Sequence, residues 1–151
     1  MYLFARNQLS KTFLSLHVLP DFEEGVGPLE GLLSAFREAP LCAWLAVVVD
    51  MAFLPRETLH YLVQRRDPSA FATAYRNPET DRPEPVCTIY DYEPRVLPVL
   101  QEAKRKRWCS LMLLRGVPIR LAEPMRKDEL KNINDLNEYR KAGGISFPPI
   151  P

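Results

Sequence analysis

The stretch that most constrains this chain is WLAVVVDMAFLP, residues 44–55. Residues 45–49 are apolar without alternation and rich in β-branched side chains. Such a run expects cover on both faces, as in the middle of a parallel sheet. It ends on a carboxylate, Asp50, followed by a short apolar turn that reaches Pro55. Ligands of open α/β sheets bind beyond the carboxyl ends of the strands, so an acid at this point is placed to hold a metal ion and phosphates. The same acid could instead cap a helix starting near Pro55, and the stretch by itself leaves both roles open.

Other segments alternate around this one. Residues 2–5 and 16–19 read as short strands, with a weak helical or loop segment at 8–14 between them. The run DFEEGVGPLEGLLSAFREAP is a loop feeding a helix: Pro28 suits a first helical turn, and Leu29, Leu32, Leu33 and Phe36 recur at helical spacing. Residues 56–64 read as a helix that partly buries Leu59, Tyr61, Leu62 and Val63, and 70–75 as a strand. The polar, proline-rich run 77–85 reads as a surface loop. A strand at 86–90, helices at 96–103 and 110–114 and a strand at 118–121 follow. Asn132 and Asn134 precede a last helix at 135–141, closed by Gly143 and Gly144. Strands alternating with helices predict an α/β architecture with a largely parallel sheet and right-handed crossovers. No boundary divides the chain, so residues 1–143 are expected to form one domain and 144–151 a flexible tail.

Composition narrows the function. A chain of 151 residues suits a single core. A formal net charge of +1 gives no field that would draw nucleic acid or an anionic membrane. Basic residues are interleaved with acids rather than set in a stripe with aromatics. The apolar run 45–49 is far too short to cross a bilayer. Three cysteines, Cys42, Cys87 and Cys109, are widely spaced without a C-x-x-C, which argues against a disulfide framework or zinc and suits a reducing cytoplasm. There is no G-x-S-x-G elbow, no H-E-x-x-H pair, no P-loop and no dinucleotide-type glycine run. His17 and His60 read as structural. The basic run 104–107 complements the dipole at a helix C-terminus.

Taken together, GPLEG at 27–31, the helix after it and VVVDMAFLP resemble the middle of the molybdenum cofactor guanylyltransferases. YRNPETDRPEPVCTIY, SLMLLRG and NINDLNEY are similar to later family segments in the same order, so the resemblance covers nearly the whole chain. It implies a Rossmann-like, three-layer α/β/α nucleotidyltransferase fold. It also implies an activity: transfer of GMP from GTP to molybdopterin cofactor with Mg2+ and release of pyrophosphate. By the same resemblance Asp50 is the catalytic, metal-binding aspartate, whose part is to help neutralise phosphate charge. Asp21, Gly27 and Pro28 join it on the nucleotide side. Arg82, Asn132 and Asn134 face the molybdopterin substrate. Plainer roles compete: Asp21 as a turn residue after Pro20, Gly27 and Pro28 as a helix entry, Arg82 as a solvated loop arginine, Asn134 as a helix cap.

There are departures. Family members begin with a strand and a glycine-rich loop, followed by an arginine and a lysine, which grip the triphosphate. None of that pattern occurs here, and residues 1–8 resemble the family's second strand, so the fold is expected to be N-terminally truncated. Phe4 replaces a small polar residue, and Ala52 replaces a proline. The strand at 45–49 would then carry a bare edge. Three outcomes are expected: the sheet closes up between 2–5 and 45–49, a partner chain covers the edge, or the protein starts upstream. The function expected is therefore guanylyl transfer if the glycine-rich segment is supplied from elsewhere. The alternative is a non-catalytic remnant, or a module that binds cofactor or a partner.

Overall fold

A computed structural model describes residues 2–4, 17–19, 27–48, 51, 54–92, 94, 96–126 and 129–130. In chain order the elements are strands β1 (Tyr2–Phe4) and β2 (His17–Leu19), helix α1 (Pro28–Glu38), strand β3 (Trp44–Val47) and helix α2 (Arg56–Gln64). Strands β4 (Ala72–Arg76) and β5 (Pro83–Tyr90), helices α3 (Val96–Arg105) and α4 (Ser110–Arg115) and strand β6 (Ile119–Ala122) complete them. The segments expected at 8–14 and 135–141, and the tail 144–151, lie outside the described residues.

Four strands form a sheet in the order β3-β5-β4-β6, and β1 pairs in parallel with β2 in a second, two-stranded sheet. The larger sheet is mixed, where the sequence predicted a largely parallel one. Strand β5 runs against β3 and β4, while β6 runs with β4. The cause is the connection from β4 to β5, which is a tight turn at 77–82 and not a helical crossover. A return through so short a turn must be antiparallel. Inside the turn, the Asn77 side-chain oxygen accepts from the backbone N–H groups of Glu79 and Thr80. Asn77 N–H donates to the Arg82 carbonyl at 2.7 Å.

The expected loop 77–85 is therefore shorter than the sequence implies, since Pro83 to Pro85 already belong to β5. The prolines are accommodated by an irregularity. Tyr75 pairs with Glu84 while Ala74 pairs with Thr88, so the residues between form a bulge. Pro85, which has no N–H to give, needs no ladder partner there.

The sheet is covered unequally. Leu29, Leu33, Phe36, Leu100, Leu113 and Leu114 from α1, α3 and α4 bury Ala72, Ala74 and Tyr90 on one face. On the other, Leu62 of α2 packs with Met51, Tyr75, Cys87, Ile89, Ala122 and Leu130. The alternation places Trp44 and Ala46 toward the first face and Leu45 and Val47 toward the second. The expectation of a strand covered on both sides is corrected here. Leu45 is 40% and Val47 42% exposed, because β3 is an edge strand of the described sheet and α2, the helix described on that face, packs over Tyr75, Cys87 and Ile89. Val49 lies outside the described residues. The sheet does not close up between β1 and β3; each pairs elsewhere. Val63, expected to be partly buried, is 53% exposed, and Thr58 takes the inward position on α2 instead.

Helix α1 is held to α3 by an internal ion pair. Glu30, in the first turn of α1, is 1% exposed, and Lys104 Nζ in the last turn of α3 lies 2.9 Å from its Oε2. Each charge sits at the helix end whose dipole favours it. Two more members of the basic run are tied locally: Arg105 and Lys106 pair with Glu102, and Lys106 lies over the Trp108 ring. No helix among the described residues is long and apolar enough to cross a membrane.

Candidate functional site

Strand directions decide where the chemistry belongs. Because β5 opposes both β3 and β4, and β6 runs with β4, strands β3, β4 and β6 all point one way. Their carboxyl ends share one edge, where an α/β sheet takes its ligands. The segments leaving that edge are 48–55 after β3, 77–82 after β4 and 123–130 after β6. Asp50 belongs by sequence to the first and Arg82 to the second, while Asn132 and Asn134 follow the third.

Of the residues expected at a site, Gly27, Pro28 and Arg82 are described; Asp21, Asp50, Asn132 and Asn134 lie outside the described residues. Gly27 is the N-cap of α1, with φ of 71°, and Pro28 fills the first helical position. A side chain at residue 27 would meet nothing within 4 Å, so the positive φ and not crowding calls for glycine. Helix α1 delivers the chain to the start of β3, so its first turn lies toward the ligand edge and its last turn toward the opposite one. There Phe36 meets Leu41, Tyr92 and Leu97 around a shallow apolar hollow.

Two arginines frame the turn after β4 and differ in state. Arg76 is engaged by both Asp81 and Glu123 at 2.7 Å, which raises its pKa. Arg82 is exposed, and its guanidinium makes no ion pair among the described residues. A guanidinium left with its donors unspent can take phosphate oxygens in a bidentate fork.

Behind this edge lies a buried polar group that the sequence did not mark. Tyr75 donates its hydroxyl to the Thr58 carbonyl at 2.6 Å. Thr58 Oγ1 donates to Glu129 Oε2 at 3.1 Å, and Met125 N–H donates to Glu129 Oε1 at 2.9 Å. Burial, and after it the Glu129 charge, raises the Tyr75 phenol. The same two causes, in the same order, push the Cys87 thiol up to about 12. The one sequence signal was Thr58 four residues before Leu62, on the same helical face. Glu129, inside the charged run RKDEL, carries no signal at all.

Among the described residues no group of three or more His, Cys, Asp or Glu side chains could hold a metal ion. The expected ligand, Asp50, is not among those residues.

The MobA-like NTP transferase domain matches residues 2–117, more than half of the chain. The chain belongs to that family. A molybdenum cofactor biosynthesis bifunctional protein of Synechocystis sp. is 28% identical over 126 residues, 83% of this chain and 36% of that protein. This MobA-like chain thus spans about a third of that relative's length. Two solved structures share the fold at 19% identity. A protein of Aquifex aeolicus VF5 superposes with a TM-score of 0.70, over 89% of this chain and 70% of that one. A molybdopterin-guanine dinucleotide biosynthesis protein A of Archaeoglobus fulgidus superposes at 0.69, over 93% and 75%. The mixed sheet with helices on both faces is therefore the MobA-like α/β fold.

Proposed function

We propose that this MobA-like chain carries the metal-bearing and acceptor-binding side of a guanylyltransferase of molybdenum cofactor biosynthesis. The reaction moves GMP from GTP to the terminal phosphate of molybdopterin cofactor and releases pyrophosphate. The observation that carries the reading is the common direction of β3, β4 and β6, which sends the segments holding Asp50 and Arg82 out of one edge of the sheet. Family membership supports the nucleotidyl chemistry.

Phosphoryl-type transfer asks the protein for position and charge more than for covalent steps. Arg82 offers an unspent fork of donors at the turn after β4 and would hold the acceptor phosphate. Gly27 brings bare backbone to the start of α1, where a nucleotide can approach closely. Asp50 would hold a magnesium ion, which when bound supplies neutralisation of phosphate oxygens. Asp21 and Pro28 on the nucleotide side, and Asn132 and Asn134 on the acceptor side, complete the proposed set. The triphosphate grip has no glycine-rich run among these 151 residues and would come from outside them. A strand from the same source would cover the edge of β3 that has no strand neighbour among the described residues, where Leu45 and Val47 are exposed. Three free cysteines fit a cytoplasmic setting.

A second reading is favoured by the lack of a glycine-rich, phosphate-gripping run in the sequence. In it the chain is a binding module that holds molybdopterin cofactor or a partner and performs no transfer. Titration calorimetry separates the two. GTP with Mg2+ binding that Asp50→Asn abolishes supports the transferase. Cofactor binding alone, with no heat from GTP at millimolar concentration, supports the module.

A further inference from the structure

Glu129 is 6% exposed, and both of its carboxylate oxygens are taken by the protein, one by the first turn of α2 and one by the backbone of its own segment after β6. Oε2 accepts from Thr58, in the first turn of α2, directly after the 48–55 segment. Oε1 accepts from the backbone of Met125, in the segment after β6. Thr58 is itself pinned: its N–H donates to the Pro55 carbonyl at 3.1 Å, and its carbonyl accepts from Tyr75 at the end of β4. Three of the four strands of the larger sheet thus meet this one carboxylate or its partner at the same end: β3 through the turn that follows it, β4 through Tyr75 and β6 through Met125.

Such an arrangement is a poor way to gain stability alone. A buried carboxylate gives up strong hydration, and well-packed apolar side chains would fill the space as well. What it supplies is direction, because two hydrogen bonds of fixed geometry set the register of two loops. Apolar contact would let them slide.

We propose that Glu129 is a positioning residue that couples the segment after β3 to the segment after β6, so that ligand contact with either one restrains the other. The coupling deepens the transferase reading and rests on it for the identity of the ligand. The tie itself stands on the hydrogen bonds.

The experiment is amide hydrogen exchange on the intact chain, with and without GTP and Mg2+, in wild type, Thr58→Val, Thr58→Ser and Glu129→Gln. Without ligand, Thr58→Val is expected to lower protection at the Met125 amide by about tenfold, the worth of a hydrogen bond to a charged group. Thr58→Ser, which keeps the hydroxyl, restores it. The double variant Thr58→Val with Glu129→Gln loses no more than the larger single loss, as expected of groups acting as one unit. Additive losses, or Met125 protection unmoved in Thr58→Val, overturn the proposal. With ligand, protection rises at both Leu54 and Met125 in wild type and at one of them in Thr58→Val. An equal rise at both amides in that variant also overturns it. If ligand moves neither amide in wild type, the transferase reading fails, while the ligand-free comparison still decides whether Glu129 ties the segments. Should Thr58→Val fail to fold, Glu129→Gln is read at the Leu54 amide, across the tie: lower protection there supports the proposal, and unchanged protection overturns it.

Discussion

Removing Lys104 should expose how much of the core depends on one ion pair. Glu30 is 1% exposed, and neither of its carboxylate oxygens accepts a hydrogen bond among the described residues. The Lys104 ammonium, 2.9 Å from Oε2 but off hydrogen-bond direction, is its counter-charge. At that separation and an effective dielectric of about 20, the attraction is roughly 6 kcal/mol before desolvation is subtracted. Breaking a buried pair on one side costs roughly 3–5 kcal/mol. Because Lys104 keeps some contact with water, we expect about 2–3 kcal/mol for Lys104→Met, a fall in Tm of about 5–10 °C for a chain of this size. The double variant Glu30→Met with Lys104→Met removes the stranded charge and should return to within about 1 kcal/mol of wild type. Urea denaturation followed by circular dichroism gives all the corners of the cycle. A loss below about 0.5 kcal/mol for Lys104→Met, the range of ordinary surface changes, would mean that Glu30 is solvated. The attachment of α1 to α3 would then rest on apolar packing alone.

Four other outcomes follow from the same structure. On α2, Leu62→Ala should cost about 2–4 kcal/mol and its neighbour Val63→Ala less than about 0.5 kcal/mol; similar losses in urea melts would rotate the helix from its described face. Thiol titration of the native chain near neutral pH should count Cys42 and Cys109 and spare Cys87, which is buried with its thiol pushed up to about 12; rapid reaction of all three contradicts this. Asp91 is buried, and desolvation raises its pKa despite its pairing with Arg66, so the folded state holds its proton to higher pH than the unfolded chain. Its contribution is fully present below the ordinary aspartate range and is lost as pH rises through the raised value; the stability of Asp91→Asn relative to wild type should therefore improve across that window, and a flat difference refutes it. Finally, Arg82→Ala should weaken binding of molybdopterin cofactor with no change in Tm, since its side chain makes no ion pair among the described residues; a drop in Tm without loss of binding would assign it to the turn.

Much of the fold was legible because local chemistry and tertiary structure agree. Pro28 and the apolar spacing of Leu29, Leu32, Leu33 and Phe36 mark a helix that the structure places at Pro28–Glu38. Residues 56–64 are helical as read. The sheet's sense was not legible, because it turns on six residues, 77–82, whose Asn77-centred turn makes β5 run backward. Prolines at 83 and 85 read as loop, because a bulge that excuses them is a property of two strands together. The β-branched run at 45–49 suggested a covered strand, but cover depends on how far α2 extends over its neighbour, which no window of sequence contains. Gly27 and Arg82 are candidates by residue type and by family likeness. Thr58 and Glu129 are not, since they are 71 residues apart and meet only after folding.

The account depends on the ligand edge being the end where β3, β4 and β6 finish. Manganese substituted for magnesium, added with GTP, broadens amide signals near the metal in a nuclear magnetic resonance spectrum. The expected result is loss of signal in the segments 48–55, 77–82 and 123–130, with Asp91, Tyr92 and residues 67–70, which precede β4, unaffected. Broadening centred on Asp91 and Tyr92, at the opposite end of the sheet, would contradict it.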